Sequence, residues 1–372
     1  MPALKRAMAG LLAAATAAAL LALVPRTARA GGIEVPARGA VALGRGGAFM
    51  ARANEPLALW YNPALLADLE GFQLQLDVSA KNRRACFERS GTHAGFAPGD
   101  GRIDRAGLSG EFDLDRRSRF GVLRDYRDEG FPKVCKQNQL GINPYLVGSF
   151  RLTDELGLGF GLVSPMGSGG ERWGRPDGTV MNDDGELRPS PARYMRLDAD
   201  TSLVRVGIGL GWAPTDWLRL GGSFFNAFFW GSTTSYTAVL GGERPSLDVE
   251  AELGELGDNF IPGGTVSAHF IPHDRLDIGV SFFATDEVDA DGSVEATVAN
   301  YGFTRDNLDT RGASAATITT EQKFPVNLRV PQPWSVNLGL RYAHPRAPGA
   351  RDRGDRDPMR DEVFDIELDV GL

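Results

Sequence analysis

The chain has 372 residues, of which 47 are glycine and only 2 cysteine, and a formal charge of −8. An acidic balance argues against a nucleic-acid partner. Beyond the first thirty residues there is no run of about 20 apolar residues, which excludes a bundle of transmembrane helices and leaves strands as the only way across a bilayer.

At the amino terminus Lys5 and Arg6 precede an apolar stretch over residues 8–24, and Ala28-Arg29-Ala30 supplies a small-residue cleavage site before Gly31. This pattern predicts a secretory signal peptide over residues 1–30. Its removal takes away four basic residues and no acids, so the charge falls to −12. Export exposes Cys86 and Cys135 to an oxidising compartment and favours a disulfide between them, two unrelated thiols being the alternative. A zinc pattern of Cys and His is absent.

Residues 72–80 read as the first strand. Segments 145–152 and 156–163 flank a turn at 153–155, and in the second of them Leu156, Leu158, Phe160 and Leu162 oppose Gly157, Gly159 and Gly161. In 203–212, Val204, Val206, Ile208, Leu210 and Trp212 share one face while Arg205, Gly207, Gly209 and Gly211 share the other. A turn at 213–216 leads into 217–229, whose far end is aromatic, as a girdle at headgroup level requires. Segments 265–271 and 276–283 flank a turn at 272–275, and 334–342 and 364–370 bring the named segments to nine, within a count of about ten to twelve candidates along the chain. Between them lie polar segments at 81–139, 167–201, 232–262 and 346–362, read as external loops. A soluble β-sandwich also alternates; the signal, the short-turn and long-loop asymmetry and the aromatic strand ends together predict an all-β transmembrane antiparallel barrel over residues 72–372.

Residues 31–71 carry a further pattern: Gly32-Ile33-Glu34-Val35-Pro36, then Leu43-Gly44-Arg45-Gly46-Gly47-Ala48-Phe49, then Asn54-Glu55-Pro56, then Trp60-Tyr61-Asn62-Pro63-Ala64. This order resembles the amino-terminal hatch of the FadL/TodX family of outer-membrane transporters. Leu158-Gly159-Phe160-Gly161-Leu162-Val163-Ser164-Pro165-Met166-Gly167 resembles that family's glycine-alternating strand and its corner. Pro191-Ala192-Arg193-Tyr194 and residues 212–221 are similar to its matching hairpin. Family barrels have fourteen strands and end on an aromatic residue, whereas this chain ends Asp369-Val370-Gly371-Leu372, which predicts a truncated copy with fewer strands.

The resemblance implies a protein of the Gram-negative outer membrane that passes long-chain fatty acids or other hydrophobic molecules passively and releases them laterally through the wall. Its partners would be that small-molecule ligand, outer-membrane lipid and the barrel-assembly machinery, with no cofactor. Phe49, Met50, Leu57, Leu59, Trp60 and Tyr61 offer an apolar lining, and Arg45 and Arg52 offer a grip on a carboxylate. Equally, the apolar groups pack a plug and the arginines pair with lumen acids such as Glu55. Asn62, Pro63 and Ala64 would fix a turn and anchor the hatch.

Other motifs carry less. Gly44-Arg45-Gly46-Gly47 lacks the strand before and the Gly-Lys-Ser/Thr after that a phosphate loop needs. Pro272 breaks any helix that would align His269 with His273, and an adjacent turn explains them better, so metal binding is not expected. Residues 287–292 resemble the start of a calcium loop, but Val298 stands where a bidentate Glu is required. Arg353-Gly354-Asp355 reads as solvated surface. No catalytic constellation stands out among only 4 His, so an enzyme is not expected. An adhesive barrel and a general diffusion porin are the competing functions.

Overall fold

A period-two alternation cannot bury one face of a helix but suits a strand, whose successive side chains point to opposite faces. The computed structural model describes residues 39–82, 84–92, 130–137, 140–165, 170–175, 179–181, 185, 187–237, 249–300, 316–319, 323–347 and 361–372. The signal-peptide segment, residues 31–38, Met166-Gly167 and Arg353-Gly354-Asp355 lie outside these. Two short helices, α1 (Ala40–Gly44) and α2 (Ala58–Tyr61), and a 3-10 helix (Pro63–Asp68) precede the strands.

The strands are β1 (Phe72–Asn82), β2 (Cys86–Phe87), β3 (Val134–Cys135), β4 (Leu140–Arg151), β5 (Leu156–Val163), β6 (Glu171–Arg172), β7 (Thr179–Met181), β8 (Leu187–Pro189) and β9 (Asp198–Thr215). They continue with β10 (Leu218–Thr237), β11 (Val249–His273), β12 (Leu276–Thr285), β13 (Val288–Asn300), β14 (Ala316–Thr319), β15 (Phe324–Val330), β16 (Ser335–Pro345) and β17 (Glu362–Gly371). Hydrogen-bonded neighbours follow the order β1-β4-β5-β9-β10-β11-β12-β16-β17, and β13 branches from β11 carrying β14 and β15. All the ladders are antiparallel. The tight turns at 152–155, 216–217 and 274–275 therefore fall at one end of the sheet, the turn end.

The wall is inverted relative to a soluble protein. On β9, Val206, Ile208, Leu210 and Trp212 are 46–52% exposed, while Arg205 beside them is 1% exposed. Leu74, Leu76 and Val78 on β1, and Ile366, Leu368 and Val370 on β17, continue the exposed apolar surface to both ends of the path. Such a face is stable against hydrocarbon and not against water. No pairing joins β1 to β17 among the described residues, and both strands run away from the turn end.

Three sequence expectations are corrected, namely the loop at 232–262, the end of the sheet at which 346–362 lies and the strand count, while the calcium-like motif that was not expected to bind lies in a strand. Much of 232–262 is strand, since β10 reaches Thr237 and β11 begins at Val249. There Val249, Ala251 and Leu253 alternate with Glu250, Glu252 and Gly254, and the acids made a strand resemble a loop. The calcium-like segment 287–292 lies largely in β13, where Asp289 and Asp291 both accept from Asn327 of β15. The connection from Pro345 to Asp361 leaves and returns at the turn end, not the long-loop end, because β16 descends beside β12 and β17 ascends beside it. Among the described residues the sheet has 13 strands, more than the candidates counted from the sequence, because β6 and β13 to β15 were not recognised.

Candidate functional site

The register of the wall lines up its small residues into shelves. Gly157, Gly211, Gly221, Ser267 and Ser281 are successive cross-strand partners from β5 to β12. The 3-10 helix lies on this row: a Cβ added at Gly157 would stand 1.9 Å from the Leu66 carbonyl oxygen, and one at Gly221 would stand 2.1 Å from the Ala64 nitrogen. Ala64 N–H donates to Ser267 Oγ at 2.9 Å, and Arg219 Nε donates to Asp68 Oδ1 at 2.6 Å. A second row joins Gly279 of β12, Gly339 of β16 and Asp369 of β17. Met50 and Ala51 pass over it, with the Met50 oxygen 2.6 Å from a Cβ built at Gly279. One segment, residues 39–69, thus touches strands from β5 to β17, and the sheet must curl around it.

Asn62 does not cap the helix that follows it. Its Nδ2 donates instead to the Met50 carbonyl at 2.9 Å, closing the segment on itself. Pro63 begins the 3-10 helix, where its missing N–H costs nothing. Phe49, Leu57, Leu59 and Trp60 form one buried cluster with Tyr145, Val147, Val163 and Phe225 of the wall, and Tyr61 packs at its margin. Met50 is buried as well.

Within and beside this cluster is an aromatic group of which the sequence singled out only Trp60. Trp60 meets Phe225 at 5.5 Å between ring centroids, and Phe225 stacks on Phe283 at 5.5 Å. The Arg205 guanidinium lies 5.0 Å and 5.1 Å from the Phe225 and Phe283 centroids, a cation held over two aromatic faces. Gly263, the cross-strand partner of Phe225, leaves room for its ring. The available signal was Arg205 itself, the only charge on an otherwise glycine face of β9.

The two arginines proposed to grip a carboxylate are engaged by β17. Arg45 donates to Asp365 at 3.0 and 2.8 Å and to Glu367 at 2.9 Å; Arg52 donates to Asp365 at 3.1 Å. The backbone N–H groups of Phe49 and Met50 donate to Asp369 at 2.7 and 2.9 Å, and that of Ala51 to Glu367 at 2.6 Å. Arg341 of β16 completes the cluster, reaching Asp277 at 3.0 Å, Asp365 at 2.7 Å and also Glu362. Burial pushes the Glu55 carboxyl above the usual carboxylate range and nearby Asp77 adds to that, while a hydrogen bond from Gln75 and the charge of Arg52 oppose it.

At the opposite end Cys86 and Cys135 form a disulfide between β2 and β3. Beside it a cavity of about 530 Å³ is lined by Phe87, Arg89, Pro191, Tyr194 and Met195 among others. His269 is buried with Nε2 3.7 Å from Asp277, whereas His273 lies in the exposed turn beside Asp274. No group of three potential metal ligands occurs among the described residues.

No family model matches the chain, and no curated protein matches it. Solved structures do. A FadL homologue of Pseudomonas aeruginosa matches with a TM-score of 0.55 at 15% identity, over 84% of this chain and 66% of that one. The toluene transporter TodX of Pseudomonas putida matches at 0.51 and 13%, over 83% and 67%. The toluene transporter TbuX of Ralstonia pickettii matches at 0.51 and 14%, over 82% and 68%. The chain therefore has the fold of these FadL-type and TodX-type proteins and spans about two thirds of their length.

Proposed function

We propose that this protein is a plugged barrel of the Gram-negative outer membrane through which hydrophobic small molecules pass passively, without chemistry on the cargo. The observation that carries this reading is the inverted wall: apolar residues face outward, and small and charged residues face an interior filled by residues 39–69. An open aqueous pore would not be filled in this way, and its water would not favour an apolar cargo. Burial favours such a cargo by about 0.8 kcal/mol per methylene.

In this reading, residues 39–69 are the plug. The cavity beside the disulfide receives cargo from outside, and the packed group of Trp60, Phe225, Phe283 and Arg205 is the aromatic border it meets further in. The aromatic border suits aromatic hydrocarbons as well as fatty acyl chains. The pairing of Arg45 and Arg52 with Asp365 and Glu367 supports a tethering role for these arginines over a head-group role. Lateral release through the wall is part of the same reading, as the sequence resemblance implies.

The test is uptake by a Gram-negative host expressing the full chain, using labelled toluene and labelled oleate, beside planar-bilayer recording of the purified protein. The expected result is uptake above the empty host for at least one cargo, reduced by F225A/F283A, with no steady ion current. A steady current of porin size, or uptake indifferent to the plug and to both phenylalanines, would overturn the proposal.

A further inference from the structure

The outer face of the wall changes character above its upper aromatic girdle. Strands β9 and β10 pair without a shift from Trp212 and Leu220 up to Asp198 and Thr234. The even-numbered residues of both strands therefore keep to the face that carries Val206, Ile208, Leu210 and Phe224. Trp212 and Trp230, 48% and 49% exposed, mark the two ends of its apolar part. Trp230 pairs with Ser202, ten residues along β9 from Trp212. At about 3.3 Å per residue and a tilt of about 40°, the two rings differ in height by roughly 25 Å, the height of the apolar band of an outer-membrane barrel. Whatever lies above Trp230 on this face is level with lipid headgroups.

There the face becomes polar and hollow. Ser232 pairs with Asp200, and Thr234 pairs with Asp198 on one side and with Glu252 of β11 on the other. Beside them β6 and Gln137, whose N–H donates to the Arg172 carbonyl at 2.8 Å, form a rim. The result is a cavity of about 540 Å³ lined by Gln137, Arg172, Asp200, Ser232, Thr234 and Glu252 among others. Small-molecule sites span about 300–1,000 Å³. The guanidinium in the lining is already committed, Arg172 Nε donating to Asp198 at 2.8 Å, while no ion pair or side-chain hydrogen bond engages Asp200 among the described residues. Glu252 stands opposite Glu295 of β13, a like-charge pair that Lys323 screens while donating to Glu255, and such a pair does not stabilise the sheet.

We infer that this cavity is a glycolipid site on the outside of the barrel, where a sugar ring of the outer leaflet's lipopolysaccharide donates from its hydroxyls to Asp200 and Glu252. Ser232, Thr234 and Gln137 supply the neutral contacts around the ring. This rests on the outer-membrane barrel reading and adds to it which lipid the wall selects and where. A carboxylate acceptor makes such a hydrogen bond roughly twice as strong as a neutral one. A phosphate head suits the cavity poorly, because the acids repel it and the guanidinium is taken. A soluble sugar lacks the acyl chains, which would lie below the cavity against Trp230, Phe224 and Ile208 and bury apolar surface there.

The experiment measures binding of the purified full chain, in amine-oxide micelles with EDTA present, to labelled lipopolysaccharide, phosphatidylglycerol and delipidated core oligosaccharide. The expected result is lipopolysaccharide binding at least tenfold tighter than either of the others, and at least a tenfold loss of it in D200A/E252A. Ile366→Ala, equally exposed to lipid but on β17, should bind as the wild type does. Equal affinity for lipopolysaccharide and phosphatidylglycerol would overturn the site, as would unaltered binding by a folded, heat-modifiable D200A/E252A. Binding that appears only when magnesium replaces EDTA would overturn it in favour of a cation bridge to phosphate. Oligosaccharide binding as tight as that of lipopolysaccharide would overturn it in favour of a soluble sugar. Should the double variant fail to fold, Ser232→Trp, which fills the cavity and leaves every charge in place, is read against the same tenfold loss. No cargo is needed. A wild type that takes up neither toluene nor oleate would sink the transport reading, while the glycolipid site would still stand or fall on its own binding.

Discussion

Two adjacent glycines on β10 provide a direct test of plug docking. A methyl group at Gly221 would stand 2.1 Å from the Ala64 nitrogen and 2.4 Å from the Pro63 carbonyl carbon, whereas at Gly222 the nearest atom is the Thr265 oxygen at 3.6 Å. Ordinary contact is about 3.5–4.0 Å, so Gly221→Ala forces the 3-10 helix back by roughly 1.5 Å. Overpacking of this kind costs about 1–3 kcal/mol. The retreat also strains the Ala64 to Ser267 hydrogen bond, which contributes about 1 kcal/mol more. Gly222→Ala meets no such obstacle and, by restricting the unfolded chain, should be neutral or stabilise by up to about 1 kcal/mol. Urea unfolding of the barrel in detergent micelles, followed by tryptophan fluorescence, should show a lowered midpoint for Gly221→Ala only. Deleting residues 39–69 should abolish the difference between the two variants. If both substitutions shift the midpoint equally, or the Gly221→Ala defect survives the deletion, the plug does not rest on this shelf.

Three further outcomes follow from the same geometry. Glu55 has a folded-state pKa raised chiefly by burial, so its penalty is complete above that pKa and disappears as the pH falls below the unfolded value. Glu55→Gln should therefore be more stable than the wild type at pH 8, with the gap closing toward pH 4, as unfolding midpoints across that range would show. Asn62→Ala leaves the buried Met50 carbonyl without its donor and should cost about 1–3 kcal/mol, read as a lower urea midpoint. Cys86→Ala/Cys135→Ala opens a loop whose ends are 49 residues apart. Loop-closure entropy puts the loss at roughly 4 kcal/mol for that stretch, so proteolysis between the two positions should accelerate while the heat-modifiable mobility of the barrel persists.

The strands that contact hydrocarbon were legible because lipid and lumen impose opposite demands on alternate residues. The segments 156–163, 203–212 and 276–283 fall within observed strands, and 145–152 does so up to Arg151. Where a strand runs past the apolar band, water meets both sides and the contrast weakens. Upper β11 carries Glu250 and Glu252, and β13 carries Asp289, Asp291 and Glu295, so charge obscured an alternation that Val288, Ala290 and Val294 still keep. Part of the site was written locally: the plug motifs and the apolar residues of 49–61 were visible. Its wall half was not, because Arg205, Phe225 and Phe283 become one group only through a register that pairs β9 with β10 and β10 with β11. The acids of β17 likewise alternate plainly in Phe364-Asp365-Ile366-Glu367-Leu368-Asp369, but nothing in that run says that their partners lie more than 300 residues earlier.

Those acids bear on why the wall uses two kinds of inward residue. A glycine shelf brings backbone to backbone, and its attraction falls away within about an ångström of separation because dispersion is short-ranged. Such a contact is either made or lost. An acid ladder facing arginines acts over a longer distance and exchanges protein partners for water at modest cost. On the proposed reading, in which residues 39–69 stay in the barrel while a cargo passes, both kinds of contact have a use, with the shelf under residues 63–68 and the ladder beside residues 45–52. The two also share a member, since Met50 rests on Gly279 while its N–H donates to Asp369 and its carbonyl accepts from Asn62. Asn62 therefore ties the stretch over the second glycine row to the stretch on the first, and its loss would loosen both contacts together.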